Sequence, residues 1–420
     1  ASTTTTTATT ALLSPAYLTA ALPVVLQFMQ VSEDNAGLAS GTACLSVLVY
    51  ASRTTLLSVS VPSSVPSTTA TSSAMAVNTV NAVESILSVV SRLLSPSLPE
   101  QSAVRVGSLV TQLMTCVGGN GTQDNQNGNN NGNNSSGIGC PLSLSVQTQL
   151  CNAMLIRLIH GKTGDLTESI VVFFARMLHR NVEHMVGMLT SMQVQLVQGG
   201  PVVSGFVALM QRWVVEQASF AGTFQVKVTL LGLALLFTRY GSHISQITVQ
   251  GDLVVNVNEG RRTRSSGKRQ PVYEQVPLPL RIMQLLLRVV DEPEDDDEEE
   301  FGGEGNGMYG SGMDSSGMGS SGMGSSGIGS SGIFAPADDF EEFMLSDMGG
   351  PGFWDDEEMD EGVETRDVEE DPLYCVDLQE QLVLFFKQRT TEEMNAFGMA
   401  CGHHDQQRLS NLGKVATVAH

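Results

Sequence analysis

Two imidazoles and a carboxylate stand within six residues in the stretch HRNVEH, at His179, Glu183 and His184. Such groups hold zinc when HExxH or HxxEH spacing brings both imidazoles to one metal, and this spacing is neither. Cys401, His403 and His404 set a thiol beside two imidazoles, but no second ligand pair lies at finger spacing. The stretch GEGNGM fails the GxGxxG pattern of a dinucleotide loop and follows no strand pattern. No serine, histidine and acid group together with local support. We therefore assign no catalytic residue, no metal ligand and no cofactor, and the expectation is a protein that is not an enzyme.

The chemistry that remains is charge. Asp295, Asp296, Asp297, Glu298, Glu299 and Glu300 form one unbroken acidic run, and Asp355, Asp356, Glu357 and Glu358 form a second. From Asp291 to Asp371 there are 27 acidic residues and one basic residue, a net of −26; set against −22 for the whole chain, the remainder carries +4. The negative charge is thus a detachable polyanion on a near-neutral body. It suits a basic protein partner and argues against direct nucleic-acid binding. Phe353 and Trp354, with Phe340 and Phe343, are embedded in this acid, where solubility has no need of them; they are candidate anchors on a partner. The alternative is a solvated linker without a binding role. A basic run of opposite sign, Arg261, Arg262, Arg264, Lys268 and Arg269, precedes an amphipathic segment. It reads as an inter-helix loop that meets cargo or docks on the tract, as a nuclear localisation signal, or as a plain exposed loop.

These charges need a scaffold, and the periodicity predicts helices almost throughout. Val83, Ile86, Leu87, Val90 and Leu94 keep helical spacing, as do Val106, Leu109, Val110 and Leu113. Phe174, Met177 and Leu178, then Met185, Met188 and Leu189, then Phe206, Leu209, Met210 and Trp213, and Ile282, Leu285, Leu286 and Val289 continue the pattern. Strand-type alternation is nearly absent; ISQITVQGDLVVNV is read as helix then loop. In EEDPLYCVDLQEQLVLFFKQ, Asp371 is the expected cap and Pro372 the first residue of a helix presenting Tyr374, Leu378, Leu382 and Phe385. The six cysteines form no CxxC pair; Cys44 is expected on a buried stripe with Val47, Leu48 and Ala51, and Cys151 with Met154, Leu155 and Leu158.

Paired helices broken by LSPSLPE, HGKTGD and QGGP fit the roughly 40–47-residue period of HEAT or armadillo arrays. The fold class expected is all-α, a HEAT-repeat superhelical solenoid of antiparallel helix pairs, with a helical bundle as the alternative. Its organisation reads as a disordered tail over 1–14, an array over 15–290 with low-complexity loops at 61–75 and 119–139, a disordered acidic Gly/Ser/Met-rich loop over 291–370, final helices over 371–413 and a tail over 414–420. The run VTLLGLALLF is too short to span a bilayer, so no membrane insertion is expected. ASTTTTTATTALLS lacks both an initiator Met and the basic residues of a leader, and the chain reads as a fragment of something longer.

Five blocks carry a family resemblance. VSEDNAGLASGTACLSVLV, VVFFARMLHRNVEHMVGMLTSM, RWVVEQASFAGTFQVKVTLLGLALLF, NEGRRTRSSGKR, and EEDPLYCVDLQEQLVLFF with GHHDQQRLSNLG resemble, in this order, the C-terminal portion of a karyopherin-β nuclear transport receptor. The match runs from about Val31 to Gly413 outside the low-complexity insertions. The resemblance implies a monomeric solenoid that carries basic cargo, notably core histones and ribosomal proteins, and shuttles between cytoplasm and nucleus through nucleoporins of the nuclear envelope. It implies release by Ran-GTP acting on N-terminal repeats outside this chain. The Asn/Gly insertion, the SSGMG repeats and the tail KVATVAH depart from the family pattern. A stand-alone acidic histone chaperone and a helical scaffold without transport activity are the alternatives.

Overall fold

The computed structural model describes residues 14–52, 56, 59–62, 79–116, 142–196, 199–253, 273–291, 366–402 and 405–410. Helices begin where the sequence supplies an acceptor for their free N–H groups. Ser14 caps α1 (Pro15–Val31), Asp34 caps α2 (Asn35–Ala51) and Asn81 caps α3 (Ala82–Leu93). After α4 (Val106–Cys116), Ser143 caps α5 (Leu144–His160). Next come α6 (Gly164–Arg180), then α7 (Val182–Ser191) capped by Asn181, α8 (Gly205–Glu216) capped by Ser204, α9 (Thr223–Ile244) and α10 (Leu278–Asp291). A single turn, α11 (Arg366–Glu369), precedes α12 (Leu378–Lys387) and α13 (Thr391–Ala400). The fold is all-α, and no helix among the described residues is long and apolar enough to cross a membrane.

Alternate helices form two layers. In one, α2 lies against α4, α4 against α6, α6 against α9 and α9 against α12; in the other, α1 meets α3, α5 meets α8, α8 meets α10 and α10 meets α13. Each layer seals the other through a single continuous apolar core. Every apolar stripe expected from Val83 to Val289 is buried or packed against this core, with Trp213 fully enclosed. The Trp213 indole N–H donates to Gln217 at 2.7 Å, and the Gln217 amide donates to Thr229 at 2.9 Å, so the one polar atom of the buried ring is matched. Gly107 marks the tightest approach: a Cβ there would fall 1.9 Å from the Ser169 carbonyl oxygen, so any side chain would force α4 and α6 apart.

Successive helix pairs are registered at their turns by arginine. Late in α3, Arg92 donates to the carbonyls of Met29 and Ser32; late in α5, Arg157 donates to Leu98 at 2.7 Å; late in α8, Arg212 donates to Gly161 at 2.9 Å. Each guanidinium thus satisfies carbonyls at the turn of the preceding pair. Glu100 works in the reverse sense. Its carboxylate accepts from the Lys162 N–H at 2.9 Å and from the Thr163 N–H and hydroxyl at 2.8 and 2.7 Å, tying down the turn that leads into α6.

Three sequence expectations fail. Among the described residues there are three two-stranded antiparallel sheets: β1 (Ser60–Pro62) with β2 (Thr79–Asn81), β3 (Gln193–Gln195) with β4 (Val202–Ser204), and β5 (Thr248–Leu253) with β6 (Tyr273–Pro277). ISQITVQGDLVVNV therefore enters a strand; alternation over TVQGDL is masked by Gly251 and is completed only by a partner twenty residues on. The helix expected at Pro372 begins instead at Leu378, where Asp377 accepts from the Glu380 N–H at 2.9 Å. Cys44 and Val47 are exposed although Leu48 is buried, because the buried stripe of α2 runs through Leu38, Leu45 and Val49. The low-complexity loop at 119–139 lies outside the described residues, as does most of 61–75.

The role of Glu100 at this turn predicts a pH-dependent variant. Burial raises its pKa, but the Thr163 hydroxyl, the two backbone N–H groups and Arg157 outweigh it and hold the carboxyl below its ordinary 4.5. A depressed folded-state pKa stabilises above the unfolded value and loses that contribution as pH falls through the folded value. Glu100→Gln should cost about 1 kcal/mol at pH 7. In guanidinium denaturation repeated at falling pH, the gap to the unaltered protein should close as the carboxyl protonates.

Candidate functional site

The ten acidic positions from Asp295 to Glu358, Phe353 and Trp354, and the basic run from Arg261 to Arg269 all lie outside the described residues. What the structure does place is where the chain carrying them joins the helical body.

The basic run is inserted between β5 and β6, whose outermost pair is Leu253 with Tyr273. Next to that pair, Asp252 meets Arg281 at 2.8 Å and Arg288 at 3.0 Å, both from α10. Burial raises the Asp252 pKa, and the two guanidiniums more than reverse it, so the carboxyl is held below its usual range. Arg288 stands one turn before Asp291, the last residue of α10 and the first of the acidic stretch. The root of the basic run is therefore clamped beside the root of the acidic tract.

Downstream of the tract, the chain does not rejoin the body at α10. Residues 366–376 form a strap across α4, α6 and α9. Gln112 of α4 donates its side-chain amide to the Asp367 carboxylate. Arg176 of α6 meets that carboxylate at 3.5 Å and Asp371 at 2.8 Å, and it also donates from Nε to Asp371 at 2.9 Å. On α9, Lys227 donates to the Tyr374 carbonyl at 2.8 Å and stands 5.8 Å from the Tyr374 ring centroid, while Phe224 lies 6.3 Å from that ring. The Arg176 guanidinium also sits over Phe224, at 5.7 Å.

The local reason is legible in α6. Phe173, Phe174, Ala175, Arg176, Met177 and Leu178 are six consecutive buried residues, more than one full helical turn. A helix buried on every side needs cover beyond its two layer neighbours and the layer beneath, and the strap supplies it. Arg176 is 10% exposed, with Asp367 at 11% and Asp371 at 12%. Two Arg176 donors, Nε and a terminal nitrogen, converge on Oδ2 of Asp371, and charge-assisted bonds at that depth hold geometry as well as charge. Asp371, the residue expected to cap a helix, accepts instead from Arg176 and from the Leu373 N–H at 3.0 Å. Tyr374, expected on a helical stripe, packs on α9.

Of the imidazole and thiol candidates, His403 and His404 lie outside the described residues. His179 sets its Nε2 3.2 Å from the Val228 carbonyl oxygen; burial lowers its pKa, opposed by that bond and by the charge of Asp371. No group of His, Cys, Asp and Glu with metal-holding geometry occurs among the described residues. Cys151 and Cys401 are buried, and burial together with Asp405 pushes the Cys401 thiol up to about 12. No protein-family model matches the chain.

Reading the sequence missed Arg176, Gln112, Lys227 and Phe224. A signal was present: Arg176 interrupts VVFFARML, and a guanidinium inside an apolar helical run requires a buried acceptor.

Two outcomes follow. Arg176→Ala leaves two carboxylates buried without their shared cation and should cost about 3–5 kcal/mol, read by urea denaturation. In native-state labelling with an aromatic disulfide, the exposed Cys44 and Cys375 should react within seconds to minutes, while Cys151 and Cys401 wait for unfolding. Mass spectrometry of the modified peptides reads the order.

Proposed function

We propose that this chain is the cargo-binding, C-terminal part of a nuclear import receptor of the karyopherin-β family, of the kind represented by importin-9. Its two helical layers are those of a HEAT solenoid, in which each pair touches mainly its neighbours. The acidic tract gathers basic proteins such as core-histone dimers and ribosomal proteins and shields their charge in transit. Ran-GTP and nucleoporins act through the whole receptor, which shuttles between cytoplasm and nucleus.

One observation carries this reading. The tract is bounded by two anchors on the same helical body, α10 before it and the strap after it, and these sit on different helices. The chain is rooted on either side of the tract by an arginine–carboxylate pair, Arg288 with Asp252 before it and Arg176 with Asp371 after it. The alternating layers and the arginines that register successive turns support the repeat architecture. The family resemblance of the five blocks supplies the cargo class.

The test replaces residues 292–365 with an uncharged Gly/Ser segment of equal length, which leaves both anchors in place. Binding of a fluorescent core-histone dimer should weaken at least tenfold near 0.1 M salt, where the Debye length is about 10 Å, and should lose most of its salt dependence. Equal binding by both forms would move recognition off the tract. Histone binding by a receptor that never responds to Ran-GTP would favour a chaperone over a carrier.

A further inference from the structure

The strap behaves as a bound peptide rather than as part of the array. Its regular hydrogen bonds are largely its own: Asp371 N–H to the Val368 carbonyl at 3.0 Å, Tyr374 N–H to the Asp371 carbonyl at 2.9 Å, and Val376 N–H to the Leu373 carbonyl at 3.2 Å. Leu373 N–H to the Asp371 carboxylate closes the same turn. Its hold on the body is made by side chains of three helices that belong to the array: Gln112, Arg176, Phe224 and Lys227. Two of these also reach strap carbonyls, Arg176 to Asp367 at 3.4 Å and Lys227 to Tyr374 at 2.8 Å. Val368, Leu373 and Tyr374 pack on the core while Glu369, Glu370, Pro372 and Cys375 face solvent. A short peptide would carry its turns with it.

We infer that α4, α6 and α9 form a binding cleft for short acidic peptides bearing an aromatic residue, and that residues 366–376 occupy it in cis. The pattern recognised is two carboxylates four residues apart, then leucine and tyrosine. The first carboxylate meets Gln112 and Arg176, the second accepts two Arg176 donors on one oxygen, and the tyrosine lies between Lys227 and Phe224. The cleft is cationic and nine-tenths buried at Arg176, which explains why its occupant is acidic. Tethering gives the strap an effective concentration in the millimolar range, so a free peptide at micromolar concentration is excluded until the strap leaves. Because the strap is continuous with the tract, a basic partner that gathers the tract competes with Arg176 for Asp367 and Asp371. Release would then open the cleft to an acidic ligand in trans. This inference does not depend on transport function.

The probe is a fluorescein-labelled peptide of residues 366–376 carrying Cys375→Ser, titrated with the full chain. A strap-disabled variant, Asp367→Asn with Asp371→Asn and Tyr374→Ala, should bind it at least tenfold more tightly than the unaltered chain, and adding Arg176→Gln should remove that gain. No gain in a variant that keeps its helical circular dichroism and cooperative melt would overturn the inference. Should the variant fail to fold, hydrogen exchange on the unaltered chain decides. With millimolar peptide, the amides of 366–376 should lose protection while α6 keeps it; unchanged strap protection would overturn the inference as firmly.

Discussion

Arg176 sets the condition that the middle of this molecule must meet. A guanidinium placed in six consecutive buried residues is tolerable only if its charge is balanced and its donors are accepted. Helices α4 and α9 cannot do this, since the side chains they bring to it are Gln112, Phe224 and Lys227, without a negative charge among them. The carboxylates come from the far side of the acidic tract, nearly two hundred residues along the chain. One buried cation thus ties the chain that follows the acidic stretch to α6. The path of the chain after the tract, back over α6 before it reaches α12, follows from that pairing.

Two kinds of arginine therefore do different work. Arg92, Arg157 and Arg212 donate to backbone carbonyls at the turns of successive helix pairs. Such bonds to a backbone acceptor fix spacing without requiring any particular partner residue. Arg176 and the pair Arg281 and Arg288 meet carboxylates instead, and each meets one that marks the edge of a long charged insertion. Neighbouring helix pairs are registered by arginine to carbonyl; the roots of the charged segments are held by arginine to carboxylate.

The helical body was legible because burial on one face imposes a period, and stripes such as Val106, Leu109, Val110 and Leu113 need no knowledge of their partners. The strap was illegible for the complementary reason. DPLY satisfies the local rules for a helix start, with an acid before a proline, and nothing nearby in sequence says that Asp371 is claimed by Arg176 instead. Local propensity gave way to a tertiary ion pair. The β5–β6 pair was missed similarly, since its ladder is closed across the basic run and each strand alone is too short to announce itself. Cys44 shows the finer limit: it shares helical spacing with buried Leu48, yet α2 turns it to solvent, because a stripe read at 3.6 residues per turn leaves its edges undetermined. The charged segments themselves were identified by composition, which requires no fold.

Why the anchor is ionic rather than apolar has a physical answer. An apolar strap of the same length would bind the α6 face by area alone and would be indifferent to what the tract holds. A strap held by Asp367 and Asp371 draws instead on paired charge, the same chemistry as the acidic residues that precede it in the chain. Burial of the pair to about a tenth of its exposed surface shields it from ordinary ionic strength. The apolar residues Leu373 and Tyr374 pack on the core beside the ion pair. Charge fixes the place of the strap on α6, and the contacts of Tyr374 with Phe224 and Lys227 fix it on α9.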